Sequence, residues 1–450
     1  MPRTADRHGV DARLVWFAVA AWLALNGLLL WLYHAGAAPK TLIGDEFDYN
    51  RRALALLAGD AIPETYIWPP GQTWFIAAVY RVFGVHVLGV QLVQIALLGL
   101  CAVLLARLWR PVAGAPAAFA AGALFLLNPT TVASAHWLWP EVTHLACLLG
   151  ALALLFARRT PRIGPAFAAG LLIGLALLFK SLLGLWWPLL LLRFVTRDGR
   201  LRVAWGAAAC FVCGVMLAIA PALWKGHVDT GRPIIADSSI YNLDVGLRDR
   251  SRSDYIDEAG APALAAFLAS APTPQERNAI YLERVRETVE RRGLAEVLAE
   301  RLGTQYFRLF SAKTLLVSQL PGDACAGRLG AYPSTMLTPW LVAASMAWHA
   351  STLVLAAFGV ALWRNWRAPI VIAGASLLAY QLALYLGLHV MQRYLFQMLP
   401  FLCAFGAGLV AARDRAVIAV SASRLAVGAL LALLLLALAF LGPWLDGTCR

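Results

Sequence analysis

The sequence is poor in charged residues: Asp, Glu, Lys and Arg make up 14% of its 450 residues, whereas 60% are hydrophobic. Soluble domains carry about 25% charged residues, so this composition excludes an ordinary soluble protein. Apolar runs of roughly 17 to 25 residues can cross the ~30 Å hydrocarbon layer of a membrane, and the chain contains many such runs. We therefore predict an all-α polytopic membrane protein.

The apolar runs set the expected number of crossings. Long runs lie near 14–33, 86–107, 140–157, 164–180, 203–223, 335–362, 368–388, 393–412 and 424–444, and shorter ones at 70–84, 113–127, 129–138 and 182–195. Thirteen helices cross if all of these do, and eleven cross if 70–84 and 129–138 do not. The first run precedes the small residues 35–38 and could be a signal peptide. Its apolar stretch exceeds the roughly 7 to 15 residues of a signal core, so we expect an uncleaved helix.

Cysteine is also scarce, and its seven positions show no metal-binding pattern. Cys210 and Cys213 form a C-x-x-C inside an apolar run without a second pair, which favours packing over a zinc site. Cys325 and Cys449 are predicted to lie outside the membrane, where a disulfide is permitted. Whether these two cysteines pair stays open, as does the use of a divalent metal.

Acidic residues are outnumbered by basic ones, and the formal net charge is +13. The arginines cluster in short loops such as 158–162 and 193–202, as in the cytoplasmic loops of membrane proteins. Because this pattern explains the basicity, we predict membrane orientation and no nucleic acid partner. The first loop, 34–68, and the segments 225–333 and 389–393 are then outside.

The same pattern divides the chain into three parts. Residues 1–224 form an amino-terminal transmembrane module with the outside loop 34–68, residues 225–333 an external helical loop domain, and residues 334–450 the last transmembrane helices. Within the loop domain, residues 275–301 alternate acids and bases, with Glu283 and Arg286 at helical neighbour spacing. This pattern predicts a solvated helix lying over the bundle.

Three carboxylates, Asp45, Glu46 and Asp48, follow the first apolar run. A carboxylate at the membrane surface can act as a general base toward a hydroxyl acceptor. The alternative is structural, because Asp is a favoured N-cap residue and residues 46–57 are expected to form a short helix. The spacing alone does not decide between these roles for Asp45.

Three further charges are predicted on the same side of the membrane. Glu141 opens an apolar helix, where a carboxylate is costly and indicates function, although the helix dipole also favours an acid there. Lys180 is one of four lysines against 34 arginines, and snorkelling to the interface is its alternative. Arg393 with Tyr394 could anchor a helix. Together, these cations and carboxylates suit displacement of an anionic leaving group.

These segments resemble the GT-C superfamily of membrane glycosyltransferases, specifically the branch of protein O-mannosyltransferases and lipid A aminoarabinose transferases. The resemblance covers most of the chain. It rests on Asp45-Glu46 with Tyr49, Trp68-Pro69-Pro70, Asn128-Pro129, Trp139-Pro140-Glu141, residues 170–174 with Lys180, Tyr241-Asn242-Leu243 with Gly246, and Arg393-Tyr394 with Pro400.

The resemblance implies transfer of a sugar, with inversion, from a polyprenyl-phosphate carrier to an acceptor on the outer face. Asp45 is then the base, Glu46 the acid that orients the loop and Glu141 the second acid, while Lys180 and Arg393 face the carrier phosphate. Further candidate substrate-binding residues are Asp48, Tyr49, Trp68, His136, Tyr241, His389 and Tyr394. The aminoarabinose enzymes have a lysine where this chain has Trp68, which shifts phosphate binding to Lys180, Arg232 or Arg248.

We therefore expect a glycosyltransferase of a bacterial inner membrane that faces the periplasm and acts on an envelope lipid, glycan or protein. The alternative is a transporter or flippase for lipid-linked sugars. Transporters usually show paired repeats and ionisable residues near the bilayer midplane, whereas this sequence has no evident repeat and its charges gather at one face.

Overall fold

The computed structural model describes residues 10–34, 42, 44–60, 64–158, 161–198, 200–252, 261–320, 334–411 and 417–447. The possible pairing of Cys325 with Cys449 lies outside the described residues. Five other cysteines, Cys101, Cys147, Cys210, Cys213 and Cys403, are free thiols.

Helices dominate the structure, which confirms the predicted fold class. The amino-terminal part contains α1 (Ala12–His34), α2 (Asp45–Ala58), α3 (Gly71–Phe83), α4 (Val87–Leu126), α5 (Pro129–Ser134), α6 (Glu141–Phe156), α7 (Ile163–Phe179) and α8 (Trp205–Thr230). The loop domain contains α9 (Ser239–Arg248), α10 (Ala261–Ala269), α11 (Pro274–Arg292), α12 (Leu294–Leu302) and α13 (Gln305–Phe310). The last part contains α14 (Thr338–Leu362), α15 (Pro369–Gly387), α16 (Leu399–Ala407) and α17 (Ala422–Asp446).

Two kinds of short element complete the fold. Strands β1 (Val195–Asp198) and β2 (Arg200–Val203) pair antiparallel in a hairpin that the all-α prediction did not include. Tight 3₁₀ turns cover Ser181–Leu183, Trp187–Phe194, Val317–Gln319, Gln392–Gln397 and Gly408–Ala411. The turn at Gln392–Gln397 carries Arg393 and Tyr394, two of the candidate site residues.

Within the described part of the chain, six helices are long and apolar enough to cross a membrane: α1, α4, α8, α14, α15 and α17. The apolar helices Glu141–Phe156, Ile163–Phe179 and Leu399–Val410 are shorter. Helix α4 has 40 residues and contains Gly114 in a non-helical conformation at φ 82° between Pro111 and Pro116. A Cβ on Gly122 would lie 3.1 Å from the carbonyl oxygen of Ala102, so the chain folds back at Gly114 and α4 supplies two antiparallel arms.

Two of the ambiguous runs form short helices. Helix α3, over the run at 70–84, begins at Gly71 against Leu178 near the end of α7 and is followed closely by α4. At the start of α4, Gln91 hydrogen-bonds His34 at the end of α1 at 2.8 Å. Helix α5, in the run at 129–138, has six residues, about 9 Å at 1.5 Å per residue. That length is well short of the ~30 Å hydrocarbon layer.

The glycines at 170 and 174 have a packing role. A Cβ on Gly170 would lie 2.0 Å from the carbonyl oxygen of Phe211 in α8, and one on Gly214 would lie 2.3 Å from that of Phe167 in α7. Small residues allow membrane helices to approach closely. This part of the motif therefore joins α7 to α8, which fixes the position of Lys180 just after α7.

The loop domain lies between α8 and α14, and its residues Tyr241, Phe267 and Tyr281 form a small hydrophobic core together with Ile67 of the first outside loop. The single helix expected over 275–301 is instead two, α11 and α12, because Gly293 at φ 80° interrupts it. The expected surface pair of Glu283 and Arg286 is present at 3.9 Å. Arg301, by contrast, is buried rather than solvated.

Candidate active site

Asp45 is the first residue of α2, and its carboxylate does not cap that helix. The N-cap residue is Gly44, at φ 55°, and no side-chain cap hydrogen bond is present. Asp45 Oδ2 instead accepts a hydrogen bond from Arg393 Nη2 at 2.5 Å. The capping alternative for Asp45 is therefore wrong, and the two residues are joined across 348 positions of the chain.

Glu141 and Lys180 meet at the same place. Lys180 Nζ donates to Glu141 Oε1 at 3.2 Å, and Arg393 Nε lies 3.8 Å from the same oxygen. The Glu141 side chain is 3% exposed and that of Asp45 is 28% exposed. We call Asp45, Glu141, Lys180 and Arg393 the charge cluster; α2, α6, the end of α7 and the turn before α16 each supply one member.

Aromatic rings surround the two cations. Lys180 Nζ lies 4.8 Å from the centroid of the Tyr394 ring, and the Arg393 guanidinium lies 4.4 Å from that of Trp139. Tyr385 stacks on Tyr394 with 5.6 Å between centroids. Cation–π contacts of this kind hold a cation in a fixed position. Trp139 and Tyr385 were not among the candidates, although Trp139 stands two positions before Glu141.

Glu46 is fully buried. Its Oε1 accepts a hydrogen bond from the backbone N–H of Leu138 at 2.8 Å. The carbonyl of Leu138 in turn accepts from Gln72 Nε2 at 3.1 Å. Glu46 therefore ties the start of α2 to the segment that leads into Glu141.

Tyr49 and Trp68 lie beside the charge cluster. Tyr49 is buried, and desolvation, together with the charges of Asp45 and Glu141, raises its pKa well above the usual value. The Trp68 ring meets Tyr49 edge-on at 6.3 Å, and the Arg52 guanidinium lies 5.8 Å from the Trp68 centroid. Trp68 is not itself positively charged, but the Arg52 guanidinium from α2 lies beside its ring.

Two candidates near the first loop have other partners. Asp48 pairs with Arg51 at 3.2 Å on a partly exposed face of α2. His136 is buried, and its Nε2 hydrogen-bonds Asn26 at 3.2 Å, while its carbonyl accepts from Gln91 at 2.9 Å. Asp48 therefore lies on the outward face of α2, and His136 packs between α1 and α4.

Four candidates belong to the loop domain or its contact with the bundle. Arg232 is exposed on the turn after α8, and Tyr241 packs against Phe267 at 5.3 Å. Arg248 pairs along α9 with Asp244 at 2.5 Å. His389 lies 3.7 Å from Asp249 Oδ2, and burial, followed by the charges of nearby arginines, lowers its pKa well below 6.5. The contacts named here join these residues to the loop domain, and their part in substrate binding stays a prediction.

A second buried ion pair was not predicted. Arg308 in α13 donates through both terminal nitrogens to the Asp249 carboxylate, at 2.6 and 2.7 Å. The side chains are 1% and 0% exposed. No local pattern indicates this pair, because both residues stand in a loop rich in other charges.

The charge cluster has the components for transfer chemistry. Asp45 supplies the more accessible carboxylate, and Lys180 and Arg393 supply positive charge next to it. Among the described residues, no three His, Cys, Asp or Glu side chains are grouped to hold a metal ion.

Residues 68–224 match the family model of dolichyl-phosphate-mannose-protein mannosyltransferases. The matched segment begins at Trp68 and includes Glu141 and Lys180. No curated protein sequence matches the chain.

The matching solved structures share little sequence identity with the chain. ArnT from Cupriavidus metallidurans bound to undecaprenyl phosphate is 17% identical, with 90% of this chain and 80% of that one covered and a TM-score of 0.40. The archaeal oligosaccharyltransferase AglB from Archaeoglobus fulgidus, in complex with an inhibitory peptide and a dolichol-phosphate, is 11% identical, with a TM-score of 0.48. That alignment covers 98% of this chain and 56% of AglB.

Proposed function

We propose that the protein transfers a monosaccharide, with inversion, from a polyprenyl-phosphate carrier to an envelope lipid, glycan or protein. The reaction takes place on the outer face of a bacterial inner membrane. The observation that carries the proposal is the meeting of Asp45, Glu141, Lys180 and Arg393, from four remote segments, at one end of a membrane bundle. The family match over residues 68–224 supports the same class of reaction.

Asp45 is the proposed general base. Its side chain is the more exposed of the two acids in the charge cluster, so an acceptor hydroxyl can reach it. A general base has to lie within hydrogen-bond reach of the proton that it removes. Arg393 orients the carboxylate through one oxygen, which leaves the other oxygen of Asp45 for the acceptor.

Lys180 and Arg393 are the proposed partners of the carrier phosphate. Positive groups fixed where charge develops on a leaving group stabilise the transition state. Here the two cations are held by Glu141 and by the rings of Trp139 and Tyr394. Glu141 is too deeply buried to serve the acceptor, and its role is to keep these cations in position.

Asp45→Asn tests the proposal because the amide keeps the shape of the side chain and removes the base. We expect sugar transfer to be abolished while the protein still folds and inserts. The assay is transfer from a radiolabelled polyprenyl-phosphate sugar in reconstituted vesicles. The matched control is Asp60→Asn, at an exposed aspartate just after α2, which should transfer at the wild-type rate.

Wild-type turnover in Asp45→Asn would remove Asp45 from the mechanism. The same vesicles distinguish the transporter alternative. Label that reaches an acceptor supports the enzyme, whereas carrier movement across the bilayer without transfer supports a flippase.

A further inference from the structure

The connection that delivers Arg393 to the charge cluster is held from the loop domain. It runs from the end of α15 at Gly387 to the 3₁₀ turn that begins at Gln392. Arg301 in α12 donates from Nε to the carbonyl of Leu386 at 3.0 Å, and its terminal nitrogens donate to Leu388 and Gly246. The last carbonyls of a helix lack partners within it, so Arg301 closes α15 from outside.

Arg308 holds the same connection a few residues further on. Its Nη1 donates to the carbonyl of Val390 at 3.2 Å, while both terminal nitrogens bind the Asp249 carboxylate. Its Nη2 also donates to the carbonyl of Ser251 at 2.6 Å. The carboxylate fixes the orientation of the guanidinium, and the guanidinium fixes the backbone at Val390.

A backbone contact completes the attachment. The N–H of His389 donates to the carbonyl of Asn242 in α9 at 2.9 Å. Residues 386, 388, 389 and 390 are therefore all bonded to the loop domain, and Arg393 follows Val390 by three residues. The guanidinium is a rigid planar fork that can hold several acceptors at once, which a lysine ammonium does not reproduce.

We propose that Arg301, Arg308 and Asp249, which we call the loop clamp, are positioning residues for Arg393. The loop clamp touches neither Asp45 nor Glu141. It sets the backbone from which Arg393 reaches them at 2.5 and 3.8 Å. The transferase consequence rests on the proposed function, whereas the positional consequence does not.

The test is a cycle of conservative variants, Arg308→Lys, Arg393→Lys and the double variant, assayed for transfer in vesicles. A misplacement of about 1 Å costs on the order of 100-fold in rate, so we expect Arg308→Lys to lower kcat by about tenfold to 100-fold. Because Arg308 acts through Arg393, the double variant should be no slower than Arg393→Lys alone. Arg286→Lys, at an exposed position of α11, is the control and should keep wild-type transfer.

Hydrogen exchange without substrate gives an independent measurement. In Arg308→Lys we expect faster amide exchange over 386–397 and unchanged exchange in α7. Arg301→Lys, which replaces the guanidinium of the second arginine in the loop clamp by an ammonium, should give the same pattern. The loop clamp would be overturned if the kcat losses of the two single variants multiplied in the double variant. It would also be overturned if exchange over 386–397 were unchanged in both Arg308→Lys and Arg301→Lys. If the wild-type protein transfers no sugar but exchange over 386–397 is still faster in the lysine variants, the proposed function is overturned and the loop clamp is not.

Discussion

Glu141→Gln probes the centre of the charge cluster. The substitution keeps the size of the side chain and removes the charge that Lys180 and Arg393 share. At an effective dielectric constant of about 20, unit charges 3.2 Å apart attract by about 5 kcal/mol. Dehydration offsets part of this attraction in the native protein, but removing one partner leaves a buried cation unpaired and typically costs about 3–5 kcal/mol. We expect a stability loss of that size.

The assay is reversible unfolding in mixed detergent and dodecyl sulfate micelles. The matched control is Glu283→Gln, whose pair with Arg286 spans 3.9 Å with both side chains more than half exposed. Pairs of that kind contribute about 0–1 kcal/mol, so this control should unfold nearly as the wild type does.

A second variant separates charge pairing from general damage. Adding Lys180→Met to Glu141→Gln removes the unpaired ammonium, and replacing a buried pair by apolar or neutral groups is often close to neutral in stability. The double variant should therefore be more stable than Glu141→Gln alone. The reasoning is refuted if Glu141→Gln loses no more stability than Glu283→Gln, or if the double variant is less stable than both single variants.

Two further predictions use the surroundings of the charge cluster. The Tyr385 hydroxyl is buried with no hydrogen-bond partner among the described residues. Tyr385→Phe should therefore leave stability unchanged, and we expect it to raise KM for the lipid-linked donor. Tyr380→Phe removes a hydrogen bond to the carbonyl of Leu182 at 2.7 Å. That variant should lose about 1 kcal/mol of stability while KM stays constant. Burial lowers the pKa of His389 well below 6.5, so the unfolded chain binds the proton first and stability should fall as pH drops below about 6.5. His389→Gln should flatten that part of the stability profile, and an unchanged profile would exclude this residue as its source.

The long helices could be predicted because their signal is local. A run of apolar residues at 203–223 is enough to indicate α8, and the run at 424–444 indicates α17. The acids after the first run likewise predicted a short helix over 46–57, and α2 covers Asp45–Ala58. Membrane spans depend on composition over about 20 residues, so they can be recognised from the sequence alone.

Positions set by tertiary contacts could not be predicted in the same way. Asp45 appeared equally suited to capping, and only the approach of Arg393 from the far end of the chain excludes that role. Gly293 could have indicated the break between α11 and α12, since glycine adopts positive φ readily. No local pattern marks Arg301 as buried, because its partners are backbone carbonyls from two other segments.

The balance of charge in the cluster bears on how a donor would bind under the proposed function. Two carboxylates face two cations, so the four charges sum to zero before any substrate arrives. A sugar–phosphate diester brings one more negative charge, which the fixed guanidinium of Arg393 and ammonium of Lys180 would face. Because Arg393 contacts Asp45 through Oδ2 at 2.5 Å, the other carboxylate oxygen is left to take the proton of the acceptor hydroxyl. Under the proposed function Arg393 thereby serves both the donor phosphate and the base, which is why the backbone that positions this residue matters as much as the residue itself.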